Sequence, residues 1–303
     1  MSDKNPLQIP EIAELVASHL EGTDLARCVQ VSKEWRDLLL PYRWRTVRAG
    51  LLPFYHHRGR FGPHPSDIHR HRHLIHDLTL LGETAGLENH NYPNLRILGL
   101  CHLGAEREVF FESTEMFPSL VSLHLNRPNM ASPTWRAMTA HPRLTELMLC
   151  AIAITAADAP LFWALCMRLE ILSLSSVTFD NRTIPAGTMF DRLRDLEVTD
   201  VNIALSAQLD LILRCQNLKR LSWNDFGYVY ESEHPALDTD RIQKGYWHRL
   251  EKLSIQHHFR ETQVAPLLDG VGDRGLIHLE LYDCHLGNKD PRPSVVTLPH
   301  SYH

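Results

Sequence analysis

The densest group of side chains able to do chemistry is a run of histidines. His56, His57 and His64 are followed by His69, His71, His73 and His76, interleaved with Arg58, Arg60, Arg70 and Arg72. A metal site needs neutral imidazoles that converge at fixed spacing. His69, His71 and His73 alternate, so on a strand they would share one face. Arg70 and Arg72 between them oppose a cation, which makes a solvated linker over residues 51–74 the first reading. A pH-sensitive or acidic-partner contact is the second and a metal site the third; neither metal nor cofactor is expected.

Other chemistry is sparse. There is no GxSxG, no phosphate-cradling glycine loop and no HExxH. Asp/Glu pairs occur only at spacings that suit a solvated surface. Cys28, Cys101, Cys150, Cys166, Cys215 and Cys284 include no CxxC pair, so neither a zinc ribbon nor a thioredoxin-like motif is signalled. Thirty-one basic against 36 acidic residues give a net charge of −5, too little positive field to hold nucleic acid. The first residues lack the apolar core of a signal peptide. The longest nearly apolar run, Ala159 to Met167, is far shorter than the roughly 20 residues of a membrane span. No catalytic residue and no membrane or nucleic-acid partner is expected, and a reducing compartment follows, cytoplasm or nucleus.

The elements around these residues follow a repeat. An apolar residue, two variable ones, leucine, one variable and another apolar residue recur as Ile75/Leu78/Leu80, Leu95/Leu98/Leu100, Leu120/Leu123/Leu125, Leu144/Leu147/Leu149 and Leu169/Leu172/Leu174. Leu193/Leu196/Val198, Leu218/Leu221/Trp223, Leu250/Leu253/Ile255 and Leu276/Leu279/Leu281 complete the series. The starts lie 20, 25, 24, 25, 24, 25, 32 and 26 residues apart, and their mean of about 25 falls within the roughly 20–29-residue period of leucine-rich repeats. Residues two apart share one face of a strand. Three residues before the starts, Tyr92, Phe117, Cys166, Phe190, Cys215 and Trp247 can close a core beneath it. Leu205, Leu209 and Ile212 form a helical stripe over 204–213, with similar patterns over 154–167 and 106–116. Pro185 and Gly187 make 179–190 irregular.

Stacked strand–helix units form a solenoid whose parallel strands line the concave side, with helices and irregular segments on the convex side. Its outward strand positions are the candidate substrate face: His124, Glu146, Met148, Ser173, Asp195, Glu197, Arg220 and Ser222, continued by Lys252, Ser254, His278 and Glu280. Asp195, Glu197 and Asp200 read as an acidic patch. Residues 226–247 are an insertion that either decorates a binding edge or forms an ordinary loop. After Leu281, either residues 295–298 fold back as a cap or the array is a shortened one.

The first fifty residues have another rhythm. Ile9, Ile12, Leu15, Val16 and Leu20 follow helical spacing with Pro10 in the first turn. Gly22 and Thr23 break the helix, residues 24–31 form a second one, and Ser32 caps a third carrying Trp35, Leu38 and Leu39. Pro41 is expected to bend or end it. So short a trio cannot bury all its large apolar groups internally, so a partner surface is implied.

Ile9-Pro10-Glu11-Ile12, Leu20, Asp24-Leu25 and Val31-Ser32-Lys33-Glu34-Trp35, in that order, resemble an F-box, and Tyr42 to Val47 resembles its tryptophan-containing tail. Leu276/Leu279/Leu281/Cys284 resembles the cysteine-containing leucine-rich repeat, although Ile152, Val177, Val201 and Phe226 replace its Asn/Cys position. Together these are similar to the F-box/leucine-rich-repeat proteins in their fungal-like form. The resemblance implies an α/β chain with an F-box helical domain at 6–50, the linker, and a solenoid of about nine repeats at 75–303. It also implies docking on the Skp adaptor, and through it a cullin, by Ile9, Pro10, Ile12, Val16, Leu20, Leu25, Val31 and Trp35. The function it implies is that of a non-catalytic substrate-recognition subunit of an SCF-type ubiquitin ligase, its repeats binding a protein target. The alternatives are a repeat scaffold acting outside a ligase and a metal protein or enzyme built on the histidines.

Overall fold

A computed structural model describes residues 9–51, 60–82, 90–101, 108–109, 115–127, 129–130, 132–180, 184–224, 242, 246–256, 261–271, 276–282 and 294–297. The chain divides into two compact units, Met1–Gly104 with Ser113–Val121, and Ala105–Glu112 with Ser122–His303.

The first unit opens with helices α1 (Pro10–Ser18), α2 (Gly22–Val31) and α3 (Lys33–Arg45). Pro10 sits where a missing N–H costs nothing, because the first-turn amides have no partner within the helix. Ser32 caps α3, its Oγ accepting from the Trp35 amide at 3.2 Å. Ala17, Leu25 and Leu39 form a small buried core, against which Leu20, Cys28, Val29, Trp35, Leu38 and Tyr42 pack half-buried. Of the two outcomes expected at Pro41, bending or ending, ending does not occur: α3 runs on to Arg45. An interior proline costs about 3 kcal/mol. Anchoring beyond it offsets that cost, since Trp44 is buried and stacks on His71 with ring centroids 4.3 Å apart.

From α3 the chain passes straight into β1 (Thr46–Leu51). This strand pairs antiparallel with β2 (Arg60–Phe61) and parallel with β3 (Asp77–Gly82), which pairs parallel with β4 (Ile97–Cys101). Val47 and Ala49 are buried at the period of two that a strand requires.

The linker expectation needs correcting from residue 60 onward; His56 and His57 lie outside the described residues. Residues 65–74 hold helix α4 (Pro65–Arg70) and a 3-10 turn (Arg72–Leu74), fixed by a fully buried Ile68. The histidines therefore do not alternate along a strand. The His64 imidazole accepts from the Ser66 amide at the start of α4, His69 packs against His90, and His71 stacks on Trp44. The His76 amide donates to the Arg45 carbonyl at 2.9 Å, while its own carbonyl accepts from Arg96 and Ile97. Among the described residues no three metal-ligating side chains converge.

Partial burial, reinforced by the Arg45 and Arg96 guanidiniums, lowers the His76 pKa below the ordinary imidazole value of about 6.5. The unfolded chain then binds this proton more readily than the folded one, so the contribution is fully present above pH ~6.5 and shrinks as pH falls below it. His76→Asn is expected to lose less stability than the parent between pH 7 and pH 5 in thermal melts; parallel curves would exclude this role.

The second unit contains β5 (Glu108–Val109), β6 (Ser122–Asn126), β7 (Asn129–Met130), α5 (Ser132–Ala140), β8 (Glu146–Cys150), β9 (Ala153–Ile154), α6 (Ala159–Cys166), β10 (Ile171–Ser175), β11 (Thr178–Phe179), β12 (Asp195–Thr199), α7 (Leu205–Leu213), β13 (Arg220–Asn224), β14 (Lys252–Gln256), α8 (Glu261–Val271), β15 (His278–Tyr282) and β16 (Ser294–Thr297). Strands β6-β8-β10-β12-β13-β14-β15 pair in that order, all parallel, and β16 folds back antiparallel on β15. The two leucine-type positions of each parallel strand are buried, and Cys166, Phe190, Cys215 and Trp247 lie buried as well. Burial pushes the Cys166 and Cys215 thiols well up, as for inert core residues. Of the helix expected over 106–116, residues 108–109 instead form β5, and 106, 107 and 110–114 lie outside the described residues.

The chain leaves β6, β8, β10 and β12 through one repeated corner. Arg127, Ala151, Ser176 and Asp200 have φ between 51° and 54°. Their amides donate to Cys150, Ser175, Thr199 and Asn224, the last carbonyl of the neighbouring strand, at 2.8–3.1 Å. Each corner satisfies a strand-end carbonyl, and those at Ala151, Ser176 and Asp200 turn Ile152, Val177 and Val201 into the core.

Helix α7 contributes a buried polar clamp. Gln208 accepts from the Trp223 indole at 2.7 Å and donates to the Val201 and Ile203 carbonyls. Gln208→Leu leaves the indole and a carbonyl unpaired in the core and is expected to cost about 2–3 kcal/mol. Urea denaturation checks this, and an unchanged midpoint would show that the clamp is dispensable.

Candidate functional site

Two surfaces remain candidates, one in each unit. On the helical trio, Ile9, Leu15 and Val31 are 46%, 59% and 66% exposed. Pro10 is exposed too, while Ile12, Val16, Leu20 and Trp35 are half-buried. Leu25 is different: it is buried and helps hold the trio together, because its position on α2 points at Ala17 and Leu39. Leu15, absent from the expected docking set, is more exposed than Ile9.

The second surface is the outward face of the parallel strands in the second unit. The register aligns its residues in rows. One row runs Glu146, Ile171, Asp195, Arg220, Lys252, His278; the next runs Met148, Ser173, Glu197, Ser222, Ser254, Glu280. A groove of about 430 Å³ lies across β8 to β15, lined from both rows. It takes in Met148, Ser173, Asp195, Glu197, Arg220 and Ser222 of the expected set but neither His124 nor Glu146. His124 instead lies 3.0 Å from the buried Ser122 hydroxyl. Ile171 was missed by the sequence reading, which looked only at the residue between the two leucine positions and at polar flanks.

The acidic patch expected from Asp195, Glu197 and Asp200 does not form as one field. Asp195 takes a two-pronged contact from Arg220, through Nε at 2.8 Å and through a second guanidinium nitrogen. That hydrogen-bonded contact, with the charge attraction, raises the Arg220 pKa. Asp200 accepts from the Ser176 hydroxyl at 3.1 Å, and Glu197 accepts from Ser173 at 2.8 Å. At the far end, the His278 ring lies 2.7 Å from Glu280. This hydrogen bond lowers the Glu280 carboxyl pKa against the opposing effect of burial, with smaller help from Ser254 and Lys252.

A family model described as F-box-like matches residues 10–49, which span α1 to α3 and the first four residues of β1. No curated protein matches the chain. The N-terminal helices are thus an F-box-like module, of a kind that acts as a non-catalytic adaptor by protein–protein contact, binding a Skp adaptor and, in general, a substrate. In the second unit the described strands β6 to β15 of the main sheet run parallel on a repeat-like plan.

Proposed function

We propose that the chain is the substrate-recognition subunit of an SCF-type cullin–RING ubiquitin ligase. Its F-box-like helices dock on the Skp adaptor and so reach a cullin, and the strand units act as leucine-rich repeats that hold a target protein. The observation that carries this reading is an F-box-like match on helices that leave Ile9, Leu15 and Val31 in solvent. Several large apolar residues left exposed on so small a module point to an interaction surface. The repeat assignment is supported by the 24–25-residue spacing of the strands from β4 to β13 and by the corner that recurs with them. Catalysis in such a subunit is proximity: it raises the effective concentration of target near the transferred ubiquitin.

The test is co-purification with purified Skp adaptor and cullin. Retention of both, lost when Ile9 and Val31 become aspartate, supports the reading. A parent chain that retains neither removes it.

A further inference from the structure

Within the groove of the second unit the charges do not balance locally. Of its three carboxylates, Asp195 is matched by Arg220, and Glu280 is hydrogen-bonded by the His278 ring, with Lys252 nearby. Glu197 is exposed, and among the described residues it meets only the Ser173 hydroxyl, with no cation within ion-pair distance. Beyond Ser173 the surface turns apolar. In register with Glu197, one strand beyond Ser173, stands Met148, 37% exposed, and Ile171 lies two residues before Ser173 on the intervening β10.

We infer that this end of the groove receives an arginine or lysine side chain of the target protein, its charged head on Glu197 and its methylene stem over Met148 and Ile171. The inference rests on the reading of this face as the target-binding surface. A long cationic side chain suits the site because its stem is apolar while its head stays charged. Thioether and aliphatic groups supply the floor for the stem, and a carboxylate already oriented by Ser173 supplies the charge. A phosphorylated segment fits worse. It would bring negative charge against Glu197 and would find the Arg220 guanidinium engaged by Asp195.

The test uses the full chain with purified Skp adaptor and a synthetic library of capped nonapeptides, each pool fixed at one central residue. Pools centred on arginine and lysine are expected to be retained above all others. Glu197→Gln should weaken that retention about tenfold, and Glu197→Lys should move the preference to aspartate and glutamate. No retained pool, no cationic preference, or a preference unchanged in Glu197→Gln overturns the proposal. Adaptor binding on the same preparation separates the two ideas. Docking without a cationic preference removes the groove assignment alone, and a Glu197-dependent cationic preference without docking removes the ligase reading alone.

Discussion

Changing Ile9 and Val31 together to aspartate is expected to weaken capture of the Skp adaptor by at least about a hundredfold while leaving the melting temperature within a degree or two. Each side chain is roughly half or more in solvent, so neither supports the internal core. Covering such a side chain at an interface contributes about 1.5–3 kcal/mol. Placing an unpaired carboxylate under a partner adds a desolvation cost of its own. A factor of one hundred corresponds to about 2.7 kcal/mol, which the lost burial and the added desolvation of two carboxylates reach together. Leu39→Ala is the contrasting variant. Leu39 is fully buried between the helices, and its truncation is expected to cost about 2–5 kcal/mol of fold stability. Trp35→Ala is a poorer probe, because Trp35 packs against that same core and its loss mixes the two effects. Titration calorimetry with the adaptor, paired with thermal melts, separates binding from folding. Undiminished affinity in the Ile9/Val31 double variant would place the adaptor elsewhere on the chain.

The parts of the fold legible in the sequence were those governed by burial at short range. Leu78 and Leu80, or Leu172 and Leu174, lie two apart because a strand buries one face, and the segments repeat every 24 or 25 residues because each stacks on the last. Ser32 read as a cap because its hydroxyl sits three residues before an amide that needs an acceptor. What escaped was set by groups distant in sequence. The left-handed corners at Arg127, Ala151, Ser176 and Asp200 carry no glycine, since the carbonyl of the next strand holds them in place. Strand β1 escaped because it buries Val47 and Ala49 rather than leucines, and α4 because its histidines dominate a segment whose one decisive residue is Ile68.

The groove was legible by position but not by electrostatics. Outward residues such as Met148, Ser173 and Glu197 could be picked from the strand period alone. Their charges were read along the chain, which grouped Asp195 with Glu197 and Asp200. In the sheet, Asp195 faces Arg220 25 residues later, in register on the neighbouring strand. Both residues immediately precede the central leucine of their repeat unit, so the pairing was available to a reader who aligned the repeats before summing charge. Glu197 acquires its place in the binding proposal only after that subtraction.

A large loss of stability is expected from Gly50→Ala. Gly50 has φ +150° in β1, opposite Leu81 of β3 and Phe61 of β2. A Cβ there would come within 1.7 Å of the Leu81 carbonyl oxygen, against backbone that cannot rotate aside. The strand must move away from its neighbour and give up ladder hydrogen bonds. Gly62 tightens the constraint, because its own missing Cβ lets it approach the Arg48 carbonyl at φ +84°. Strain plus broken pairing is expected to cost about 3 kcal/mol or more, lowering the melting temperature by roughly 6–12 °C. Amide exchange should accelerate in β1 and β3 while β10 to β13 keep their protection. Gly22→Ala is the control, since an added Cβ at the start of α2 meets nothing within 4 Å. Because α3 runs directly into β1, the loss would fall on the strand that follows the F-box-like helices. Equal melting temperatures for the two variants would mean that β1 does not lie against β3 as described.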